Sequence, residues 1–514
     1  MPVNAELSAR RLLAALLLLA VVPATLATAA LTYQRPDLPP GPAAYDPVSL
    51  DTAPVLGALQ ARELQRSRRL SAQAPTMAGP QLVPATFPEP VPTIVLPPRP
   101  VPYDLAELQR TLPEAFETLG EALLVRASIE VPTGARLDID AATTPDVRLL
   151  SSPSGFAAVI ARGGTLELRG TEQFPVTVSS WDTEAGAVDD DPADGRAFLL
   201  TFGGRMDVVH ADLGHLGFGT GTSSGVAWRG DDHAPGQPRV PALGDVSRSV
   251  LHHNWFGAYT FEAQGMQWIG NTFADNSAYG FDPHDLSNDF LVEGNVAHGN
   301  GRHGFIFSRG CDRNVMRDNL AFDNRGHGFM IDDGRSEDSA EGEAARLPSN
   351  DNQLIDNRAL DNDGSGIEIE GGTGTVVRGN ELERNHVGVR VKNDAAVLVA
   401  DNEITDSRLF GVDVLAGAGA VDIEGNDVTG GWGSINLGEE AGTRLAENEL
   451  DGASTPLVVA GAADRGHGWT TAVARVFRWN PLLVLWTAIL GVPAVLGAAR
   501  LAQLVLRGRR RRAG

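Results

Sequence analysis

The sequence predicts an all-β right-handed parallel β-helix, with an N-terminal helical cap and linker and a C-terminal transmembrane helix. Three observations carry this prediction. Asn271, Asn295, Asn319, Asn357, Asn380, Asn402, Asn426 and Asn448 recur at intervals of 22–24 residues, except for one interval of 38 that holds the polar insertion Asp333 to Ser349. A second Asn follows five residues later at 276, 300, 324, 362 and 385, and then a Gly leads a short apolar-alternating run. A repeat of that length without helical periodicity fits one coil of a solenoid. The 58 Gly and the 6% aromatic content favour a turn-rich β architecture. Stacked Asn side chains bond the coils above and below, so these residues read as structural.

The elements follow in chain order. Residues 1–32, with Arg10-Arg11 before an apolar run, read as a signal peptide or signal anchor. Residues 33–103 are rich in Pro and Ala and read as a linker, with one helix possible from Val55 to Gln73. Residues 104–124 place Leu105, Leu108, Phe116, Leu119 and Leu123 at near-helical spacing and are expected to form a helical cap over the first coil. The β-helix is assigned to residues 125–463. Leu482 to Ala499 is uncharged and mostly apolar, which places a transmembrane helix at 478–506. The basic residues of 507–514 then mark a cytoplasmic tail and put the β-helix outside the membrane.

Charge limits the choice of partner. The net charge is −23, and nine Arg with no Asp or Glu fall between Arg465 and Gly514, so the remainder is more acidic still. Nonspecific nucleic-acid binding is excluded on that ground. A polyanionic substrate requires basic residues gathered locally. The lone Cys311 forms no internal disulfide and reads as a buried small hydrophobe.

Strand alternation assigns the faces. Counting from each repeat Gly, the first and third residues point inward; they include Phe281 and Pro283, Phe305 and Phe307, and Val389 and Val391. The second and fourth point outward: Asp282 and His284, Ile306 and Ser308, Met330 and Asp332, Glu368 and Glu370, Arg390 and Lys392. Upstream, Tyr259 and Phe261 take the outward slots of one coil and Arg229 one slot of the coil before. Coils stack about 4.8 Å apart, close to one sugar unit, so this face suits a polysaccharide. Asp285 and Asp333 share the slot of Arg309 in neighbouring coils, so Arg309 reads either as a substrate-binding residue or as a partner in that exposed ion-pair ladder.

The stretch Tyr279-Gly-Phe-Asp-Pro-His-Asp285, with Trp255 to Tyr259 before it and His303 to Arg309 after it, resembles the periplasmic mannuronan C-5-epimerases. The resemblance is densest from 247 to 332. It implies that His284 is the base, that Arg309 neutralises the substrate carboxylate, and that Asp282 and Asp285 support the site. Chemistry agrees: a proton alpha to a carboxylate is removed by a neutral imidazole, and a guanidinium stabilises the charge that develops. Tyr259, Arg229, Arg302, His303, Ser308, Asp332, Arg390 and Lys392 complete the candidate substrate-binding set. His303 and His327 also read as repeat-turn residues. The chain departs from the family pattern at Gly301-Arg302, where two Lys are usual, and at Asp332-Asp333, where Asp-Arg is usual.

The expected function is therefore C-5 epimerisation of uronate units in an alginate-like polysaccharide. A polysaccharide lyase and a noncatalytic sugar-binding β-helix remain the alternatives. The expected partners are the polymer, the membrane and envelope synthesis or export machinery. No cofactor or metal is expected, since His210, His215 and His252-His253 show no metal spacing on a shared face.

Overall fold

The computed structural model describes residues 54–459 except for 86–90, 153–154, 220–222, 232–237, 335–345, 394, 439–441 and 454. Two units divide the chain, 39–461 and the two termini together, and the described residues all belong to the first. The expected signal or anchor segment, the transmembrane helix at 478–506 and the basic tail lie outside them. Among the described residues no helix is long and apolar enough to cross a membrane.

Three long sheets run along the molecule, two of 15 strands and one of 13, and the chain visits them in turn. Neighbouring strands pair in parallel from coil to coil, as in Phe305–Ser308 against Phe329–Asp332. One apolar core fills the interior, from Val91 to Ile435. The inward positions lie in it as alternation requires: Phe281, Phe305, Phe307, Val389 and Val391 are all 0% exposed. Stacking continues within the core, where the Phe305 and Phe329 rings lie 5.0 Å apart and nearly parallel.

The Asn repeat is the frame of the corners. Asn271 donates through Nδ2 to Asn295 Oδ1 at 3.0 Å, Asn295 to Asn319 at 2.9 Å, and the ladder continues to Asn448. A second ladder joins Asn276, Asn300, Asn324, Asn362 and Asn385. The residue before each ladder Asn takes a left-handed conformation, as at Gly294, Asp318 and Asp356. That requirement explains the recurring Gly-Asn and Asp-Asn pairs, because Gly and Asp tolerate positive φ.

The N-terminal end departs from expectation. Within the segment read as linker, α1 (Pro54–Gln73) is followed by strands at Gln81–Val83, Thr93–Val95 and Tyr103–Asp104 that join the sheets. Within the segment read as a helical cap, α2 (Leu105–Thr111) is only seven residues long and is capped by Asp104. The remainder forms an antiparallel pair, Phe116–Leu119 with Ala122–Val125. Strand pairing satisfies the first coil's open edge better than a helix, since it meets the exposed backbone groups directly. Helix α1 packs instead on the outward side of strands Ser128–Pro132 and Ala158–Arg162. Its Arg66 donates to the carbonyls of Val91 and Val83, and its Ser67 meets Arg162 Nε at 3.3 Å.

Candidate active site

The candidate residues gather on the outward face of the sheet that contains Phe281–His284. Register fixes two columns along it. One contains Tyr259 and Asp282 side by side; the other contains Arg162, Phe202, Arg229, Phe261, His284, Ser308 and Asp332. The sequence reading placed these side chains outward, except Arg162 and Phe202, to which it assigned no face, and all share the outward columns. Yet the face is not exposed: Asp282 is 2%, Ser308 4% and Asp332 5% accessible. Flanking corners wall it in. Phe256 stacks on Tyr259 and meets Tyr279, Phe218 packs on Phe156 and Phe198, and all belong to one outward cluster with Phe202 and Trp255.

After the strand Phe281–His284 the chain turns sharply, with Asp285 and Leu286 both at positive φ. Ser287 Oγ closes the turn on the His284 carbonyl at 2.8 Å. Arg309, one coil on, is also left-handed, and its stem lies against Gly334, where a Cβ would come within 2.6 Å of Arg309 Cγ. These turns set Asp285 between the two residues of interest. Its Oδ1 lies 3.3 Å from His284 Nδ1 and 3.2 Å from Arg309 Nε. Asp333, the other expected partner of Arg309, contacts Arg346 at 2.6 Å.

Burial opposes protonation of His284, but the adjoining Asp285 and then the charge of Asp282 outweigh it and raise its basicity. Asp282 is pushed up to about 7, because burial disfavours its charge more than His284 stabilises it. Its Oδ1 is buried without a hydrogen-bond partner. Burial also raises Asp332, which accepts from Ser308 Oγ at 3.1 Å and from Gly334 N at 2.9 Å. The Tyr259 ring lies 5.9 Å from the His284 ring, and its hydroxyl accepts from Arg229 at 3.3 Å. Arg229 also covers the face of Phe261 at 4.1 Å.

Four sequence-derived assignments change. Arg390 and Lys392, read as distal substrate-binding residues, are held by carboxylates. Lys392 Nζ lies 2.8 Å from Glu368 and 3.0 Å from Glu370, and Arg390 Nε lies 3.1 Å from Asp413. Ser308, also read as substrate-binding, is buried with its hydroxyl given to Asp332. His303 is a corner residue: its Nδ1 accepts from His327 N, and its ring stacks between Tyr279 and His327. Burial holds it neutral. His215, His252 and His253, read as lacking a shared face, each offer a ligand atom within 4.8 Å of the others.

Tyr279 was missed. It lies in the motif, but it precedes the repeat Gly, where alternation assigns no face. Its hydroxyl accepts from Arg302 Nη1 at 2.8 Å, so Arg302 holds a tyrosine at the groove's edge.

Comparison with known proteins agrees with this architecture. A right-handed β-helix region matches residues 242–340 and 365–463. A mannuronan C5-epimerase of Pseudomonas putida is 26% identical over 320 residues, covering 60% of this chain and 57% of that protein. The mannuronan C5-epimerase of Pseudomonas aeruginosa is 31% identical over 229 residues, 43% and 41% of the respective chains. The chain thus aligns with about half the length of these curated relatives. The crystal structure of the periplasmic alginate epimerase AlgG superposes with a TM-score of 0.60 over 72% of this chain and 85% of that one, at 20% identity, which establishes likeness of fold. The chain is similar in sequence to the mannuronan C5-epimerases over about half of their length and shares the right-handed parallel β-helix of the periplasmic alginate epimerase.

Proposed function

We propose that this protein inverts C-5 of uronate units in a mannuronan-like polysaccharide. One observation carries the reading: Asp285 Oδ1 stands between His284 Nδ1 and Arg309 Nε, at 3.3 and 3.2 Å, in a walled groove. The carboxylate charge lies on the Nδ1 side of the imidazole, which leaves Nε2 for the substrate. It also lies beside the guanidinium of Arg309, a planar fork whose geometry matches a sugar carboxylate. His284 takes the C-5 proton, the electron pair moves into the carboxylate, and Arg309 stabilises the charge that develops there. A proton returned to the opposite face inverts the centre. Tyr259 and Tyr279 each accept from an Arg, and a phenol hydroxyl is the candidate source of the returned proton.

The test is incubation with polymannuronate in deuterated water. Epimerisation places deuterium at C-5 and raises the guluronate fraction without unsaturated ends. Ultraviolet-absorbing ends would instead make the protein a lyase, and no change in the polymer would make it a binder. Loss of the donor tyrosine leaves exchange but abolishes inversion, so Tyr259→Phe and Tyr279→Phe identify which residue returns the proton.

The apolar run Leu482 to Ala499 and the basic run Arg509 to Arg512 support an extracytoplasmic β-helix tethered by the helix at 478–506. Protease added outside the membrane should degrade residues 60–460 and spare the tail; a protected β-helix would reverse the orientation.

A further inference from the structure

We infer that His215, His252 and His253, with Asp190, form a binding site for a divalent transition ion, zinc by the chemistry of the donors. The site is at the corner between the third sheet and the one that bears His284, and its residues come from three successive coils. Strand Val176–Asp182 pairs with Ala211–Gly214, which pairs with Val250–His252. The chain leaving the first of these reaches Asp190, and the next two end in His215 and His252-His253.

The pieces are placed deliberately by the backbone. His215 and His253 occupy equivalent left-handed positions one coil apart, with φ of 59° and 53° and ring centroids 4.9 Å apart. His252 folds over Gly214, where a Cβ would fall 2.5 Å from its ring. That fold sets His252 Nε2 on Asp212 Oδ1 at 2.8 Å and His252 Nδ1 against His253 Nδ1, also at 2.8 Å. A carboxylate that accepts from one ring nitrogen leaves the other as a bare lone pair, the arrangement in which histidines ligate metals. At that separation the two nitrogens share a proton, and they would part by roughly half an ångström to bind one ion in its place.

The third ring adds to this. His215 Nδ1 is buried, lies 2.5 Å from Asp190 Oδ1 and makes no aligned hydrogen bond. Arg196 is the opposing charge at this corner, but its guanidinium is spent on the carbonyls of Gly217, Leu216 and His253. Three imidazoles and one carboxylate form a four-ligand set suited to zinc. The ligand atoms of the three rings already lie within 4.8 Å of one another, and His253 is exposed.

The full-length protein, stripped with a chelator and dialysed against Zn²⁺, tests this. A single bound equivalent is expected, with cobalt substitution giving the visible spectrum of a four-coordinate site. His215→Asn and His253→Asn keep the left-handed turns, because Asn tolerates them, and should abolish that equivalent. Asp212→Asn should weaken it by about 10–100-fold. His210→Asn, outside the cluster, should bind as the parent does. Failure of the parent to bind zinc, or equal binding by the His215 and His253 variants, would overturn the assignment and leave a hydrogen-bonded histidine ladder.

Discussion

The groove differs on its two sides of His284. Toward the N-terminus, Arg162, Phe202, Arg229 and Phe261 alternate along one column, cation against aromatic ring. Their guanidinium groups lie over rings, Arg162 on Phe202 at 4.3 Å and Arg229 on Phe261 at 4.1 Å. Toward the C-terminus, Asp332, Glu368, Glu370 and Asp413 line the groove, and Arg390 and Lys392 are neutralised among them. The N-terminal cations thus lie against aromatic faces, and the C-terminal ones lie between buried carboxylates, where removing a cation leaves charge uncompensated.

The largest expected effect tests the boundary between the halves. His284→Gln should cut turnover by about 10²–10⁴, the usual worth of a general base, with little loss of binding. Undiminished deuterium incorporation at C-5 would show that His284 is not the base.

Next comes the C-terminal network. Lys392→Met leaves Glu368 and Glu370 buried together and should cost about 3–5 kcal/mol of stability, read by chemical denaturation, while oligouronate affinity stays near that of the parent. Loss of affinity with unchanged stability would return Lys392 to the substrate path. The N-terminal half should behave in the opposite way. Arg229→Ala is expected to weaken oligouronate binding by about tenfold, roughly 1.4 kcal/mol, measured by calorimetry, and to move the melting temperature little.

The smallest effects are read against pH. Activity needs neutral His284, so its acid limb should lie above the ordinary 6.5, and Asp285→Asn should move that limb to lower pH. Asp282, raised to about 7, stabilises the fold below its ordinary 3.8, and this contribution fades as pH rises through about 7. Asp282→Asn should flatten that decline in a melting-temperature profile; an unchanged slope would place the titration elsewhere.

The sequence by itself determined the solenoid, its coil boundaries from Asn271 onward, and which side chains face out. The reason is local: a left-handed corner demands Gly or Asp, the stacked ladder demands Asn, and alternation has a period of two. Those signals place His284 and Asp285 one coil from Arg309 on the outward side of the sheet. Upstream of Asn254 the Asn markers stop, so neither the strands at 81–104 nor the alignment of His215 with His253 was legible. Burial of the groove was hidden as well, because its walls come from corners such as Phe218 and Trp255 whose heights follow no repeat. Tertiary structure alone decided which charges are spent. Whether Arg390 meets Asp413, or Asp285 meets both His284 and Arg309, depends on contacts between coils some 23–25 residues apart in sequence, and side-chain reach across a 4.8 Å step is set by packing rather than by pattern.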